Sequence, residues 1–394
     1  MAADDPVALN SAGLRALGAG DAATAVALLT RAVAADEGSA LLWFNLATAH
    51  GAAGDRAAER GALDAALDRE PYFGHALFAK GYHLETAGDM AGALEMYTRL
   101  IAALDPAEQH GPGFTAGIAH ARELLADANA RIAGSLDTAL AEARAAIDPA
   151  DRLRFDHCVD IGLGRRRIYH HQPLVLAYPY LPQDQFFDRR HFPWLAELEA
   201  ATPVIRAELA ALLAAGDAGF APYVAYPPGV PVNQWAGLNR SDAWAAQFLI
   251  QHGAPNEGLR ARCPETAAVL DRLPLFDCPG RGPVAFFSLL KPRTRIPPHT
   301  GATNIRTIVH LPLIVPDGCS FRVGNETRAW IEGSAFAFDD TIEHEASNPT
   351  DELRAVLIID TWNPHLSMVE RDLLRRYVAA LDASGAELKA FDPR

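Results

Sequence analysis

The chain has 394 residues, of which 49% are hydrophobic and 21% charged, and it carries a net charge of −14 at pH 7. This length allows two or three domains with substantial cores. The negative charge argues against nucleic-acid binding and against a polybasic membrane anchor, because contacts with phosphate groups require a basic surface.

The sequence contains no pattern typical of a signal peptide, a membrane span or a disulfide framework. The first residues, MAADDPVALN, are acidic and lack the order of a signal peptide. We find no apolar run of about 18 residues, so no membrane span is predicted. The four cysteines, Cys158, Cys263, Cys278 and Cys319, have no paired spacing typical of a metal site or a disulfide framework. These features predict a cytoplasmic protein with reduced thiols.

The N-terminal part of the chain contains an internal repeat. The pairs Gly20-Asp21, Gly54-Asp55 and Gly88-Asp89 recur at a spacing of 34 residues. Seven positions before each glycine stands a small residue (Gly13, Ala47 and Gly81). Small residues allow two antiparallel helices to approach closely, and each Gly-Asp pair is expected to end one helix and open the turn to the next.

This pattern resembles the tetratricopeptide repeat and covers roughly residues 7–108. The second repeat is imperfect, since Glu59 occupies a usual alanine position. The resemblance implies an α-helical solenoid, with the alanine-rich residues 109–150 as its cap, and therefore a first domain at 1–150. Its concave surface would bind a protein or a peptide; the alternative is a helical cap or a dimerisation module.

The middle of the chain is rich in proline and aromatic residues, which indicates loops and short strands. Residues 195–216 are predicted to be helical, with an interruption near Pro203. The stretch 219–247 is predicted to be irregular. Its Trp235, Asn239 and Trp244 either line a pocket or pack as buried aromatic and polar residues.

From residue 284 onward the pattern is that of short strands. Arg306, Ile308 and His310 alternate with Ile305, Thr307 and Val309, which places polar side chains together on one face of a strand. Phe336, Phe338 and Asp340 likewise share a face, Gly324-Asn325 indicates a hairpin, and a further strand begins at Arg354. We therefore predict an α+β multidomain chain whose second domain, 151–394, is a double-stranded β-helix, that is, a jelly-roll or cupin-like domain.

Two histidines at the edges of different strands are candidate metal ligands. His299 follows Pro297-Pro298, and His344 lies 45 residues later. Neutral imidazoles that converge inside a barrel suit Fe(II), although each could also be a surface or core histidine. A third ligand would be expected two residues after His299, where Gly301 stands. The carboxylates near His344 are alternative ligands or hydrogen-bond partners (Asp339, Asp340, Glu343 and Glu345).

Three segments carry a more specific resemblance, residues 287–311, 319–348 and 353–364. They resemble the aspartyl/asparaginyl β-hydroxylase family of Fe(II)- and 2-oxoglutarate-dependent dioxygenases, and weaker similarity extends the match to about 180–365. Members of this family carry glycine at the position of Gly301 and bind iron through two histidines only. The resemblance thus implies His299 and His344 as the iron ligands and catalytic residues.

The resemblance also implies a 2-oxoglutarate site. Arg354, with Ser288 beside it, matches the residues that bind the distal carboxylate, a role that suits a bidentate guanidinium. His310 matches a contact to the carboxylate near the metal. Arg306 and Arg322 match basic residues around the cosubstrate and an acidic substrate. Ile308 departs from the family, because well-known members carry a second arginine there, and this puts an aspartate side chain in doubt as the target.

The implied reaction is hydroxylation of a C–H bond, in first place on an Asp or Asn residue of a peptide or protein. The alternatives are a small molecule, the acyl chain of a lipid, a cupin-like metal isomerase, or a non-catalytic adaptor whose barrel is a remnant.

Overall fold

The computed structural model describes residues 5–105, 109–216 and 219–385. The chain divides into two compact units, residues 1–159 and 160–394. The described part of the first unit is helical, and the strands of the described residues all lie in the second. The predicted α+β class with an N-terminal helical solenoid is therefore confirmed. The boundary expected after residue 150 stays a prediction.

The first unit consists of helix pairs followed by one long helix. The helices are α1 (Pro6–Gly18), α2 (Ala22–Ala35), α3 (Ala40–Ala52), α4 (Arg56–Arg69), α5 (Gly74–Thr86), α6 (Met90–Ala103) and α7 (Pro112–Ala145), and α8 (Pro149–Gly162) follows them in the chain. The end of the predicted repeat region, residues 106–108, lies outside the described residues.

The repeated Gly-Asp pairs make the turn within each helix pair. Gly20, Gly54 and Gly88 have φ values of 82°, 79° and 83°, a region that favours glycine. The aspartate that follows each glycine is the N-cap of the next helix: Asp21, for example, accepts a hydrogen bond from the backbone N–H of Thr24 at 3.0 Å. The 34-residue sequence period is thus the period of the helix pair, which is marked each time by this glycine turn and its aspartate cap.

Small residues permit the close approach inside the pairs. A Cβ atom at Gly81 would lie 2.5 Å from the Tyr97 ring, and one at Gly13 would lie 2.6 Å from Leu29. The imperfect second repeat is compensated locally. Glu59 lies against Gly51, which has no side chain, and its carboxylate is 3.3 Å from Nδ1 of His83.

The second unit contains two sheets with helices on one side. Its helices are α9 (Leu195–Ala200), α10 (Thr202–Ala214), α11 (Glu257–Arg262), α12 (Pro264–Leu270) and α13 (Met368–Ala383), with short 3₁₀ turns at Arg189–His191 and Asn233–Trp235. Its strands are β1 (Ala221–Pro222), β2 (Trp244–Gln251), β3 (Ala254–Pro255), β4 (Ala285–Leu290), β5 (Thr294–His299), β6 (Arg306–Ile314), β7 (Ser320–Val323), β8 (Glu326–Ala329), β9 (Phe336–Phe338), β10 (His344–Asn348) and β11 (Arg354–Trp362).

All strand pairings in the described sheets are antiparallel. The larger sheet has the order β1-β2-β4-β11-β6-β9, with β3 beside β2, and the smaller sheet has the order β5-β10-β7-β8. From β4 to β11 the chain alternates between them: β4, β6, β9 and β11 belong to the larger sheet, and β5, β7, β8 and β10 to the smaller.

Hydrophobic side chains pack on both faces of the larger sheet. Val309, Leu311 and Leu357 pack in one hydrophobic core with side chains of α9 and α10. Phe286, Val356 and Ile358 point the other way and pack with side chains of the smaller sheet, such as Phe321 and Val323. The predicted alternation along β6 is therefore observed, with Arg306, Ile308 and His310 on the side of the smaller sheet.

Substitution of Gly81 tests the close approach of α5 and α6. Gly81→Ala places a methyl group against the Tyr97 ring, and we expect it to lower the free energy of unfolding of the first unit by about 1–3 kcal/mol. Far-UV circular dichroism during urea unfolding measures this loss. Gly61→Ala is the matched control: no atom lies within 4 Å of its new Cβ, so helix propensity should stabilise α4 by up to about 1 kcal/mol. Equal effects of the two substitutions would contradict the packing argument.

Candidate active site

A cavity of about 360 Å³ lies between the two sheets of the second unit. Its apolar wall is formed mainly by aromatic and branched side chains (Tyr223, Trp235, Trp244, Phe286, Ile296, Ile308, Phe321, Phe338 and Ile358). Its polar groups are Ser288, His299, Arg306, His310, Asp340, Glu343, His344, Arg354 and Asp360. A concave apolar pocket with a few convergent polar groups is the usual form of a small-molecule site.

His299 and His344 lie side by side in this cavity. His299 ends β5, His344 begins β10, and the two residues are register partners in the smaller sheet. Their ring centroids are 4.1 Å apart. The β5–β10 register shifts by one residue between His344 and Ala346, and this irregularity brings the two histidines opposite each other.

Both imidazoles are held in the same tautomer. Nδ1 of His299 is 2.8 Å from the carbonyl oxygen of Pro297, and Nδ1 of His344 is 3.0 Å from that of Ile342. Because a carbonyl oxygen only accepts, each Nδ1 donates its proton and each Nε2 keeps a lone pair. Burial lowers the pKa of His299 to about 4 and holds the pKa of His344 well below its ordinary value. Both rings are therefore neutral at pH 7, the form that binds a metal ion.

In the described part of the chain, no carboxylate completes a metal-binding triad with these histidines. Among the residues that the structure describes, no group of three or more His, Cys, Asp or Glu side chains is arranged to hold a metal ion. A Cβ atom at Gly301 would overlap the carboxylate of Asp340. The backbone N–H of Gly301 also donates a hydrogen bond of 2.5 Å to the backbone oxygen of Asp340. The space of a third ligand at this position is thus filled by Asp340, which explains why glycine stands there.

The loop after His299 is held by an extended segment, residues 172–178. The Gln172 N–H donates to the Thr341 oxygen at 2.8 Å, and the Leu174 N–H donates to the Gly301 oxygen at 3.0 Å. The Tyr178 N–H donates to the side chain of Asn304 at 2.7 Å. These contacts fix the Gly301 backbone against the cavity, which Gln172 and Leu174 also line.

Arg354 lies at one end of the cavity, which we call the Arg354 pole. It is 1% exposed, and its Nε and Nη1 have no hydrogen-bond partner within the described residues. Its guanidinium carbon lies 4.6 Å from the centre of the Trp330 ring. Burial lowers its pKa to about 10, so it remains charged at pH 7. A buried cation without a carboxylate partner is costly unless an anion binds to it.

Ser288 and His310 lie near the same pole. Ser288 is buried on β4 and accepts a hydrogen bond from the Trp244 indole N–H at 3.1 Å. His310 stacks on the Trp330 ring, the same ring that contacts the Arg354 guanidinium, with 5.4 Å between the two ring centroids. Burial, with a smaller effect of Arg354, keeps the pKa of His310 well below its ordinary value, so this ring is neutral as well.

Arg306 forms the other pole, together with two buried carboxylates. Its Nη2 lies 3.3 Å from Asp340 Oδ2, and its Nη1 lies 3.7 Å from Asp360 Oδ2. Burial raises the pKa of Asp340 to about 6 and that of Asp360 to about 7, against the opposing effect of the Arg306 charge. Ile308 separates this pole from His310 along β6.

Arg322 is the predicted cosubstrate residue that does not line the cavity. Its Nε donates to Glu345 at 2.5 Å and its Nη2 donates to Glu343 at 2.9 Å. Arg322 therefore forms ion pairs with the two residues that flank His344 in the sequence. The structure brings the other predicted residues, His299, His344, Ser288, Arg306, His310 and Arg354, to one cavity. Of the alternative metal ligands, Asp340 and Glu343 line it, whereas Asp339 and Glu345 do not.

Several cavity residues were missed or left open by the sequence. Trp235 and Trp244 line the cavity and flank His299, with ring centroids 4.9 and 6.4 Å away. Asn239 instead accepts a hydrogen bond from the Tyr226 N–H. Asp360 was not predicted, although it follows Arg354 by six residues on the same face of β11, so the alternation of a strand could have identified it.

Comparison with known proteins agrees with this arrangement. Residues 199–364 match the family model described as Aspartyl/Asparaginyl beta-hydroxylase. The chain is 37% identical over 135 residues to the aspartyl/asparaginyl beta-hydroxylase of Mus musculus, a match that covers 34% of this chain and 18% of that protein. It is 34% identical over 197 residues to the ornithine lipid ester-linked acyl 2-hydroxylase of Rhizobium tropici, with 49% and 66% covered.

The second unit is similar to the aspartyl/asparaginyl β-hydroxylase family, whose model matches it over residues 199–364. The match spans less than a fifth of the mouse and human relatives, 18% of each. The first unit is similar to tetratricopeptide-repeat structures, among them the first repeat domain of Spaghetti, at 17% identity and a TM-score of 0.28, with 32% of this chain and 99% of that chain covered. Its description as a tetratricopeptide-type solenoid rests on its own helix pairs and turns.

Substitution of Gly301 tests the contact with Asp340. Gly301→Ala should lower the free energy of unfolding of the second unit by about 1–3 kcal/mol, because the new methyl group overlaps the buried carboxylate. Tryptophan fluorescence during urea unfolding reports on this unit, since Trp43 is the one tryptophan of the sequence outside residues 160–394.

A double-mutant cycle isolates this contact from other effects. In an Asp340→Ala background the space beside residue 301 is open, so Gly301→Ala should cost less than it does in the wild type. Equal costs in the two backgrounds would show that Asp340 is not the reason for the glycine.

Proposed function

We propose that the second unit is an Fe(II)- and 2-oxoglutarate-dependent dioxygenase that hydroxylates a C–H bond. One observation carries the proposal: a single cavity holds two neutral histidines with their Nε2 atoms unprotonated and a buried guanidinium at its Arg354 pole. The alternation of β4–β11 between two sheets supports a double-stranded β-helix as the scaffold.

The residues present fit an iron site with few protein ligands. His299 and His344 would hold the metal, and their backbone-bonded Nδ1 atoms fix the ring orientation, as is usual for metal-binding histidines. When bound, Fe(II) with 2-oxoglutarate supplies the oxidation of a C–H bond by dioxygen, in which the cosubstrate becomes succinate and carbon dioxide.

The Arg354 pole fits a dicarboxylate. The guanidinium of Arg354, whose Nε and Nη1 have no partner among the described residues, would donate hydrogen bonds to the distal carboxylate, and Ser288 would add a hydroxyl contact. His310 would lie beside the carboxylate nearer the metal. Trp244, Phe321 and Phe338 exclude water from this part of the cavity, which strengthens each polar contact within it.

The substrate class remains open between two forms. The family and the helical repeats support an Asp or Asn residue of a peptide or protein. Exposed apolar side chains on the first helix of each pair (Val7, Leu41 and Tyr82, at 71%, 52% and 50%) offer a surface for such a partner. The apolar wall of the cavity and the similarity to a lipid acyl hydroxylase support an acyl chain or another small molecule. Within the described residues no helix has the length and apolarity needed to cross a bilayer.

The test of this proposal is succinate formation from 2-oxoglutarate by full-length protein supplied with Fe(II) and oxygen. Many enzymes of this class turn over slowly without their prime substrate, so the substrate need not be known. We expect succinate from the wild type and a loss of at least about a hundredfold in His344→Ala, because a two-histidine site has no spare ligand. His365→Ala, whose imidazole pairs with Asp184 outside the cavity, is the control and should keep wild-type turnover. Wild-type turnover in His344→Ala would refute the iron assignment.

Arg354→Ala tests the cosubstrate pole separately. We expect the dissociation constant for 2-oxoglutarate to rise by about tenfold to a hundredfold, because a charge-assisted pair is lost. Affinity for Mn(II), used as an oxygen-stable stand-in for Fe(II), should change little, because the proposed metal ligands are His299 and His344 and not Arg354. Calorimetric titration of 2-oxoglutarate and of Mn(II) measures both. An unchanged 2-oxoglutarate affinity would move the dicarboxylate to another part of the cavity.

A further inference from the structure

The Arg306 pole contains carboxylate oxygens that lack a hydrogen-bond donor. Asp340 and Asp360 are 5% and 1% exposed, and both line the cavity. Within the described residues, Oδ1 of Asp340 and Oδ2 of Asp360 accept no hydrogen bond. Buried polar atoms are nearly always satisfied, so two such acceptors in one pole of a cavity indicate a ligand that brings donors.

The charges that line the cavity favour a cationic donor. Its cations are Arg306 and Arg354, and its carboxylates are Asp340, Glu343 and Asp360. Glu343 is already paired with Arg322, and Arg354 is assigned to 2-oxoglutarate in the proposed function. Arg306 then faces two carboxylates, so an additional anion at this pole would meet more negative than positive charge.

An apolar surface connects this pole to the histidines. Ile308 is the register partner of Asp360 on β11 and of Phe338 on β9. From Arg306 to His310 the distance along β6 is about 14 Å, at roughly 3.4 Å per residue. An aliphatic stem that lies on Ile308 can therefore place a polar head at the Arg306 pole while its other end approaches Phe338, whose ring centroid is 5.2 Å from that of His344.

We propose that the substrate carries a primary ammonium group on an aliphatic stem, and that this ammonium binds at the Arg306 pole against Asp340 and Asp360. This inference rests on the proposed function and names its substrate class: an alkylamine compound and not one that presents a carboxylate at this position. The ammonium donates to Asp340 Oδ1 and Asp360 Oδ2, and the stem packs on Ile308. The net charge of −14 favours the encounter, since an acidic protein attracts cations and repels anions.

The test compares small probes of equal chain length on the full chain loaded with Mn(II) and 2-oxoglutarate. Butylammonium, butyrate and the neutral butanol are titrated, and isothermal titration calorimetry measures each dissociation constant. We expect butylammonium to bind at least about tenfold more tightly than either of the others, the effect of roughly one charge-assisted hydrogen bond. Binding of butyrate equal to or tighter than that of butylammonium would overturn the inference.

Variants assign the preference to this pole. Asp360→Asn keeps the shape of the side chain and should weaken butylammonium about tenfold. Asp372→Asn removes the same charge from an exposed site on α13 and should leave binding unchanged. Ile308→Arg supplies a cation beside Asp360 and should reverse the order of butylammonium and butyrate, which keeps the test decisive if Asp360→Asn does not fold. An unchanged preference in the folded Asp360→Asn or Ile308→Arg variant would place the ammonium elsewhere.

Succinate formation by the same protein, loaded with Fe(II) in place of Mn(II) and supplied with oxygen, separates this inference from the proposed function. Turnover without an ammonium preference overturns the substrate class alone. An ammonium preference without turnover overturns the dioxygenase assignment, while the selectivity of the Arg306 pole stands.

Discussion

The pleat of β11 is the constraint on which the second unit depends. Every residue of this strand, Arg354–Trp362, is buried, so neither face can turn to solvent. Ala355, Leu357 and Ile359 fill the core beneath the helices, whereas Arg354, Ile358 and Asp360 line the cavity. Because side chains alternate strictly along a strand, one sequence of nine residues builds the hydrophobic core and both charged ends of the site.

This arrangement separates the two charged groups of β11 without any loop. Arg354 and Asp360 are six residues apart on one face, about 20 Å at roughly 3.4 Å per residue, with Val356 and Ile358 between them. The first is a cation whose Nε and Nη1 have no hydrogen-bond partner among the described residues, and the second is a carboxylate near Arg306. The cavity is therefore electrically asymmetric along its length, and the proposed binding of cosubstrate and substrate at different ends rests on this asymmetry.

Much of this organisation could be predicted from sequence because it depends on short-range rules. The turns of the first unit follow from a glycine with positive φ and an aspartate cap, both local effects that recur at a fixed period. The faces of β6 follow from alternation, which correctly grouped Arg306 and His310. The helix interrupted near Pro203 is observed as α9 and α10.

The rest depended on pairings between distant strands, which a single sequence does not specify. Arg322 matched a cosubstrate residue by resemblance, but β7 lies beside β10 and the neighbouring Glu345 takes its guanidinium. The role of Gly301 also required the fold, because only the approach of Asp340 shows what a side chain there would strike. Alternation alone puts Asp360 on the same face as Arg354, but its closeness to Arg306 follows only from the pairing of β6 with β11.

The register irregularity between β5 and β10 has a consequence for how such a site can change. Ala346, Ser347 and Asn348 pair with Ile296, Arg295 and Thr294, and the same regular count continued upward would set His299 opposite Glu343. The single-residue shift sets it opposite His344 instead. The pairing of the two histidines therefore depends on the hydrogen-bond register of β5 and β10 as much as on the residue types. Inserting one residue between Ile296 and His299, with the bulge kept, would set the histidine opposite Glu343 and so exchange an imidazole neighbour for a carboxylate without altering either histidine.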